Sequence, residues 1–507
     1  MPEETNRHIL KNSVYLYVRM GIVMIVSLYT VRVVLNTLGV TDYGIYNAIA
    51  GVVSTVSIVT GVLISASQRF FSYDLGKNPD KLCRTYSSML IIYLILAFFI
   101  ILIIEPVGLW FLKNKMTIPA DRLGAAEWVF HFTVFGFIVS LLQTLYNAMI
   151  VSHEDMKIYA YLSISDVICK LGLVYILQVI AYDKLKLYAV LVFIVTLVYF
   201  ILYIVICKRR YKSQVTFSLK IERGLFGSIF KFSAWSMFGS LAGMCNSQGI
   251  NILLNVFFGP IANAAYAIAN QVSAKVTEFS NGFYMAVRPA MIKAYAAGNT
   301  ERSTSLVIFS SKIIFICVLF LILPIIFECE PILKLWLGNI EPSMIVFTRL
   351  LLVYTMILAL SNPLTTLAQA TGKVKKYHGY VDSFILLSLP TIYILFKLGA
   401  DPESSFVVVI VIMVIAHWIR LRVLKATIDD FPIGAYVKKF MMPCIATLLI
   451  SVFLTYTVKT IIPQHDILCV LLRITISILF VLSFSYILLL TKGEKKSLKC
   501  MILSKIK

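Results

Sequence analysis

Arg19 and Arg32 interrupt an otherwise apolar run near the start of the chain. On a helix they would stand about 20 Å apart along the axis. Further on, Asp166 and Lys170 form an i,i+4 pair and Lys275 and Glu278 an i,i+3 pair, both within apolar stretches. Arg288, Arg349 and Asp382 sit near the ends of other such stretches. An ionisable group costs at least about 2.5 kcal/mol at the centre of a bilayer, so these residues are functional candidates by default. The cations can offer an anion charge-assisted hydrogen bonds in place of its water. Asp166, Glu278 and Asp382 are the carboxylates suited to proton or cation coupling. Two readings stand side by side for most of these groups. Asp166–Lys170 and Lys275–Glu278 serve equally as structural pairs between helices, and Arg32, Arg288 and Arg349 can equally snorkel to an interface. Arg19 lies deeper, has no local partner, and reads as cavity-lining.

The elements that must position these groups are membrane helices. Of 507 residues, 59% are hydrophobic and 14% charged, with a mean hydropathy of +0.87. A soluble fold of this length cannot bury so much apolar surface, whereas lipid accepts it outside. Apolar stretches of about 20 residues or more suffice to cross a hydrocarbon core. They predict an all-α membrane protein of about fourteen spans, at 13–36, 43–66, 85–110, 125–151, 160–182, 187–207, 228–257, 262–287, 305–327, 343–370, 379–398, 404–425, 438–459 and 467–491. Gly136, Gly239, Pro324, Pro363 and Pro390 fall inside spans, as membrane helices allow, and Trp110, Trp128, Trp336 and Trp418 lie near span ends. The polar, acidic start Met1-Pro2-Glu3-Glu4-Thr5 does not read as a signal peptide, so the first span is expected to be retained. The nine cysteines include no C-x-x-C pair and read as small core residues. His131 and His417 read as interfacial or packing residues, and no metal site is expected.

Lys and Arg set the orientation. The net charge is +21. With the N-terminus inside, roughly 31 basic residues fall in cytoplasmic segments and roughly 8 in external ones. The densest runs are Lys208 to Lys231 and the tail from Lys492 to Lys507. Both termini are thus expected in the cytoplasm. Charge dispersed over short loops with no aromatic platform argues against nucleic acid and leaves membrane lipid as the partner of these loops.

The chain also matches itself at an offset of about 220 residues. Ile45-Tyr46-Asn47-Ala48-Ile49-Ala50 aligns with Ala265-Tyr266-Ala267-Ile268-Ala269-Asn270, Tyr175-Ile176-Leu177 with Tyr393-Ile394-Leu395, and Met156-Lys157-Ile158-Tyr159 with Val374-Lys375-Lys376-Tyr377; Asn36 and Gly39 fall near Asn255 and Gly259. Six helices per repeat give both halves one orientation, an arrangement that places substrate at the interface between repeats. The domains expected are a six-helix lobe at 1–219, a second at 220–430, and two additional helices with a basic tail at 431–507.

The densest motifs lie in the second repeat: Phe230-Lys231-Phe232-Ser233-Ala234-Trp235, Gly239-Ser240-Leu241-Ala242-Gly243, Asn246-Ser247-Gln248-Gly249-Ile250-Asn251 through Asn255, Phe257-Phe258-Gly259-Pro260 and Ala269-Asn270-Gln271-Val272. Ser67-Gln68-Arg69-Phe70-Phe71-Ser72 and Lys293-Ala294-Tyr295-Ala296-Ala297-Gly298-Asn299 join them. These runs resemble bacterial polysaccharide transporters of the Wzx type, in the superfamily that holds MATE multidrug exporters and lipid II flippases. Tyr266 and Arg288 depart from the pattern, standing where the resemblance implies arginine and asparagine. The resemblance implies two six-helix lobes around a central cavity plus two C-terminal helices, and a cargo of undecaprenyl-diphosphate-linked oligosaccharide (O-antigen, capsule or another repeat unit, lipopolysaccharide included). For such a cargo, Arg19, Arg32, Lys170, Lys275 and Arg288 would meet the diphosphate, and Asn246, Gln248, Asn251, Asn270 and Gln271, with Ser247, the sugar hydroxyls. The lipid tail would remain in the bilayer.

No G-x-x-x-x-G-K-[ST] and no G-x-S-x-G occurs. The expectation is therefore a transporter rather than an enzyme, without cofactor, drawing on an H+ or Na+ gradient. It would work as a monomer in the bacterial inner membrane, with a polysaccharide polymerase and glycosyltransferases as neighbours. A MATE-type cation-coupled exporter, a lipid II flippase and a membrane-embedded glycan-transferring enzyme are the alternatives.

Overall fold

The apolar stretches form helices in the computed structural model, which describes residues 2–54, 56–114, 116, 118–180, 182–212, 214–217, 223–338, 340–428, 431–463, 466–491 and 493–495. Lys492, Cys500, most of the basic tail, and residues 213 and 218–222 of the basic segment lie outside them. Among the described residues there is no strand. The helices run α1 (Pro2–Ser54), α2 (Ser57–Lys77), α3 (Leu82–Asn114), α4 (Leu123–Ser152), α5 (Met156–Val179), α6 (Lys184–Arg210), α7 (Arg223–Ala296), α8 (Thr300–Phe327), α9 (Cys329–Leu337), α10 (Pro342–Thr371), α11 (Val374–Leu386), α12 (Ser388–Lys397), α13 (Ser404–Lys425), α14 (Ile433–Tyr436), α15 (Met442–Ile461) and α16 (Ile467–Phe484). A π-turn joins α14 to α15 and another follows α16.

Eleven stretches among the described residues are long and apolar enough to cross a membrane. The expected spans at 43–66, 228–257 and 262–287 are not among them. The first is divided between α1 and α2, and the other two are diluted by the asparagines, serines and glutamines of α7. Outward-facing side chains such as Phe98 (64% exposed) and Leu468 (79%) complete the physical picture. Water would reject such surface and lipid accepts it. The chain is a multi-pass membrane protein.

α1 and α7 are each two helices that meet at a glycine, Gly39 (φ 80°, ψ 167°) in one and Gly259 (φ 78°, ψ −167°) in the other, where the backbone leaves the helical region and the chain turns. That backbone region is essentially closed to side chains. The two bends lie 220 residues apart and share one conformation, so the internal repeat extends to backbone geometry.

The described residues fall into two units, one of Asn12–Met237 and one from Phe238 onward together with the residues up to Lys11. In the N-terminal unit α4 is the central helix, packed by α2, α3, α5 and α6. Its core joins Ile45, Ile49 and Val53 of α1 to Val129 and Phe130 of α4 and Leu185 and Ala189 of α6. In the C-terminal unit α10 takes the same role between α8 and α13. Its core joins Ala265, Tyr266 and Ala269 of α7 to Phe347 and Leu351 of α10 and Phe406 and Val409 of α13. The segments that align in sequence, Ile45 to Ile49 and Ala265 to Ala269, thus fill equivalent core positions. The eleventh span breaks at Leu387, between α11 and α12, because Pro390 clashes with the carbonyl four residues back.

Buried ion pairs tie the last two helices to α8. Arg473 of α16 grips Glu328, just past the end of α8, with Nε–Oε1 2.8 Å and Nη2–Oε2 2.7 Å, both side chains 3% exposed. Arg473 also donates to the Ile462 carbonyl (2.7 Å), and Lys459 donates to the Phe327 carbonyl. Lys312, midway along α8, is paired with Glu494 beyond α16 (3.1 Å).

Two outcomes are expected. Gly39→Ala and Gly259→Ala should each lower stability by roughly 1–3 kcal/mol, read as a lower melting temperature of the purified protein. Gly172→Ala, in open space on α5, should hold or raise it. Glu328→Gln should destabilise by about 3–5 kcal/mol by stranding Arg473, and limited proteolysis should then cut ahead of α15.

Candidate functional site

Helix α5 carries most of the polar chemistry of the N-terminal unit. Near its start Tyr159 receives Arg19 from α1: Nη1 donates to the phenol oxygen at 2.5 Å, and the guanidinium carbon lies 4.8 Å from the ring centroid. Arg19 Nε is buried without a partner. Arg19 therefore has a neutral aromatic neighbour, and among the described residues no carboxylate pairs with it. Two turns further, Lys170 Nζ donates to Asp166 Oδ2 at 2.9 Å. This pair lines a cavity of about 320 Å³ that also receives Thr133, Ser140 and Gln143 from α4 and Thr196 from α6. At about 30 Å³ per water, the space admits on the order of ten waters. A charge pair, hydroxyls and an amide around such a volume suit a hydrated ion or a hydroxyl-rich group. Arg32 is exposed and has no partner among the described residues. Beyond the Gly39 bend, Arg122 holds Asp42 through two hydrogen bonds and Asp183 at 3.1 Å, and Asp183 caps the first turn of α6. The hydrogen bond to Asp42 holds the Arg122 guanidinium above its ordinary pKa.

In the C-terminal unit the candidates separate. Asn246 is buried and accepts a 2.5 Å hydrogen bond from Ser388, so it is engaged in packing α7 against α12. Gln248 and Gln271 are exposed, and Asn251 and Asn270 half-buried. Lys275 and Glu278 pair at 3.1 Å on an exposed face. Arg288 Nη2 donates to Gln369 Oε1 of α10 at 3.0 Å. Arg349 donates to the Ile326 carbonyl in the last turn of α8 (3.0 Å). Asp382 lies 2.5 Å from His378 Nδ1 on α11.

Several ionisable residues within or beside the expected spans went unnoticed in the sequence: Lys312, His378, Arg420, Arg473, and Glu105, which meets His131 Nδ1 at 2.9 Å between α3 and α4. The same rule that singled out Arg19 flags every one of them. Tyr159 carried no such flag, because a tyrosine near a span end is unremarkable in sequence. Among the described residues no group of three or more His, Cys, Asp or Glu is placed to hold a metal ion.

Comparison with known proteins bears on this arrangement. The family model described as "Polysaccharide biosynthesis protein" matches residues 9–295. The chain belongs to the polysaccharide biosynthesis protein family. The matched range contains Arg19, the α5 pair and the α7 residues as far as Arg288. A second model, MatE, matches residues 236–394, which include His378 and Asp382. No curated protein matches the chain. Solved structures share its fold. An outward-facing multidrug resistance MATE family transporter of the MOP superfamily gives a TM-score of 0.71 at 14% identity, covering 84% of this chain and 97% of that one. A MOP superfamily transporter from Pyrococcus furiosus gives 0.69 at 14%, covering 86% and 96%. A Vibrio cholerae MATE transporter gives 0.68 at 15%, covering 84% and 97%. This polysaccharide biosynthesis protein thus has the MATE-type fold, with polar chemistry distributed within each of its units.

For the α5 pair a stability cycle is informative. Asp166→Asn and Lys170→Gln should each lower the melting temperature by leaving one charge uncompensated in a membrane helix. The double variant should melt above either single one.

Proposed function

We propose that this protein is a flippase that moves undecaprenyl-diphosphate-linked oligosaccharide from the cytoplasmic to the outer leaflet by alternating access. The observation that carries the reading is Arg19: a cation deep in a membrane helix, seated on a phenol instead of a carboxylate, within the range matched by the polysaccharide biosynthesis family. An arginine without a counter-charge favours an anion, and a diphosphate presents the oxygens that a guanidinium fork binds in pairs. The cavity beside Asp166 and Lys170, with its hydroxyls and amide, suits the sugar portion. Arg32 and Lys170 in the N-terminal unit, and Lys275 and Arg288 in the C-terminal unit, are the further cations proposed to meet the diphosphate, with Gln248, Asn251, Asn270 and Gln271 proposed to meet hydroxyls. Asn246, held by Ser388, would act by positioning α7. The Lys/Arg asymmetry supports an inner-membrane orientation with both termini cytoplasmic. A polymerase and glycosyltransferases on either side of the membrane would supply and consume the cargo, and an H+ or Na+ gradient would drive a monomer.

A cation-coupled drug exporter is the second reading, supported by the MatE match at 236–394. Fold alone does not choose between the two, because the polarity of a site sets its ligand. The P. furiosus transporter is described as having a binding pocket whose reverse polarity suggests a different function. In this chain Arg19, without an acidic partner, argues for anionic cargo.

Arg19→Ala, inserted normally in the membrane, should abolish surface polysaccharide and accumulate lipid-linked repeat units inside the cell. Tyr159→Phe keeps the ring and should reduce export only partly. Normal export by Arg19→Ala would remove the arginine from the mechanism. Resistance to cationic dyes conferred by the wild type would favour the exporter, and complementation of a strain lacking its own lipid II flippase would identify that variant.

A further inference from the structure

The His378–Asp382 pair has the makings of a proton site. It lies on α11 in the C-terminal unit, with Nδ1 and Oδ2 2.5 Å apart and the histidine side chain only 7% exposed. The other ring nitrogen, Nε2, is buried without a hydrogen-bond partner. The pair lies within a single helix, so it fastens no helices together, and the buried Nε2 without a partner costs about 1–3 kcal/mol. Here one side of the ring is anchored and the other is left bare. Nδ1–H can donate to Asp382 whether or not Nε2 carries a proton. A proton can therefore arrive at Nε2 and leave it while the contact that orients the ring stays intact.

Charged and polar groups surround the pair from four helices, with Lys375 one turn before His378 on α11. From α11 come Asp382 and Tyr377. From α13, Arg420 is buried and donates from Nε to the Tyr377 hydroxyl at 3.1 Å, with His417 beside it. From α10, Thr365 meets the same hydroxyl at 2.7 Å. From α7 comes the backbone of Gly239. Among the side chains, imidazole is the one suited in general to gaining and losing a proton between pH 5 and 8.

Gly239 connects this chemistry to α7. A Cβ at position 239 would stand 2.5 Å from His378 Nδ1 and 2.6 Å from Asp382 Oδ2, so α7 runs directly against the pair. The same helix carries Asn246, Gln248, Asn251, Asn270 and Gln271. We propose that His378 and Asp382 form a proton-binding site whose loading shifts α7 and thereby couples proton movement to transport. In each cycle His378 Nε2 accepts one proton from water and returns one to water. The coupling rests on the transport reading above; the proton binding does not depend on it.

The test therefore needs no cargo. Purified full-length protein in nanodiscs is titrated potentiometrically from pH 8 to pH 5, and backbone hydrogen exchange of α7 is followed at both ends of the range. The wild type should take up about one proton more than His378→Gln. Protection of the amides around Gly239, taken relative to the intrinsic exchange rate at each pH, should differ between the two ends of the range in the wild type and not in His378→Gln. Should that variant fail to fold, Asp382→Asn keeps the ring, removes its anion, and should take up less proton than the wild type over the same range. Equal proton uptake by wild type and variants, or α7 protection that is the same at both pH values in the wild type, would overturn the proposal. Because export by Arg19→Ala reports on the cargo and proton uptake reports on this pair, either reading can fail while the other stands.

Discussion

Hydrocarbon offers no hydrogen bonds, so every polar group carried into it must bring or meet a partner. Most of the polar architecture of this chain follows from that constraint. Backbone groups answer it by forming helices throughout. Serine and threonine side chains answer it by bonding back to the carbonyl one turn earlier, as Thr30, Thr133, Thr196 and Thr447 do. Charges answer it by pairing across helices. Arg473 meets Glu328 and Lys312 meets Glu494, both far more buried than a surface salt bridge. Such pairs add little net stability over apolar packing, but breaking one is severe, so they specify where α15 and α16 must sit.

The repeat shows how one solution serves twice. Gly39 and Gly259 impose the same bend, and after each bend a helix returns a Tyr-containing segment to the core: Tyr46 against Tyr188 in one unit, Tyr266 against Phe406 in the other. The central helices α4 and α10 then pack against equivalent partners, α3 and α6 in one unit and α8 and α13 in the other. The chemistry laid over this scaffold differs between the units. α5 bears Asp166 and Lys170, while its counterpart α11 bears His378 and Asp382. One pair neutralises itself and lines a cavity; the other leaves a ring nitrogen bare. Duplication preserved the packing and let the ionisable residues diverge.

Hydropathy made most spans legible because their signal is local. The span expected at 404–425 is α13 as observed, and those at 125–151 and 343–370 differ from α4 and α10 by one or two residues at each end. The repeat was legible because core positions such as Tyr46 and Tyr266 tolerate few alternatives. The helical segments that fell short of a span's apolarity did so through the very asparagines and glutamines that marked α7 as a candidate. Site geometry was legible only where partners lie within one helical turn, as with Asp166–Lys170 and Lys275–Glu278. Arg19 finds Tyr159 140 residues away, and Arg473 finds Glu328 145 residues away. No spacing rule reaches that far, and a sequence shows a lone charge without showing its distant neighbour.

The contrast among these neighbours is what gives Arg19 its weight. Arg473, Lys312, Arg122 and Arg210 are each held by a carboxylate and Arg349 by a carbonyl, whereas Arg19 and Arg420 each meet a phenol. A phenol fixes the direction of a guanidinium as well as a carboxylate does, through one hydrogen bond and the face of its ring, but leaves the positive charge in place. An internal carboxylate would have stabilised Arg19 more and would also have competed with any incoming anion. Orientation without neutralisation is what a binding cation requires: the side chain is ready in position, and the charge that completes it must come from outside the fold.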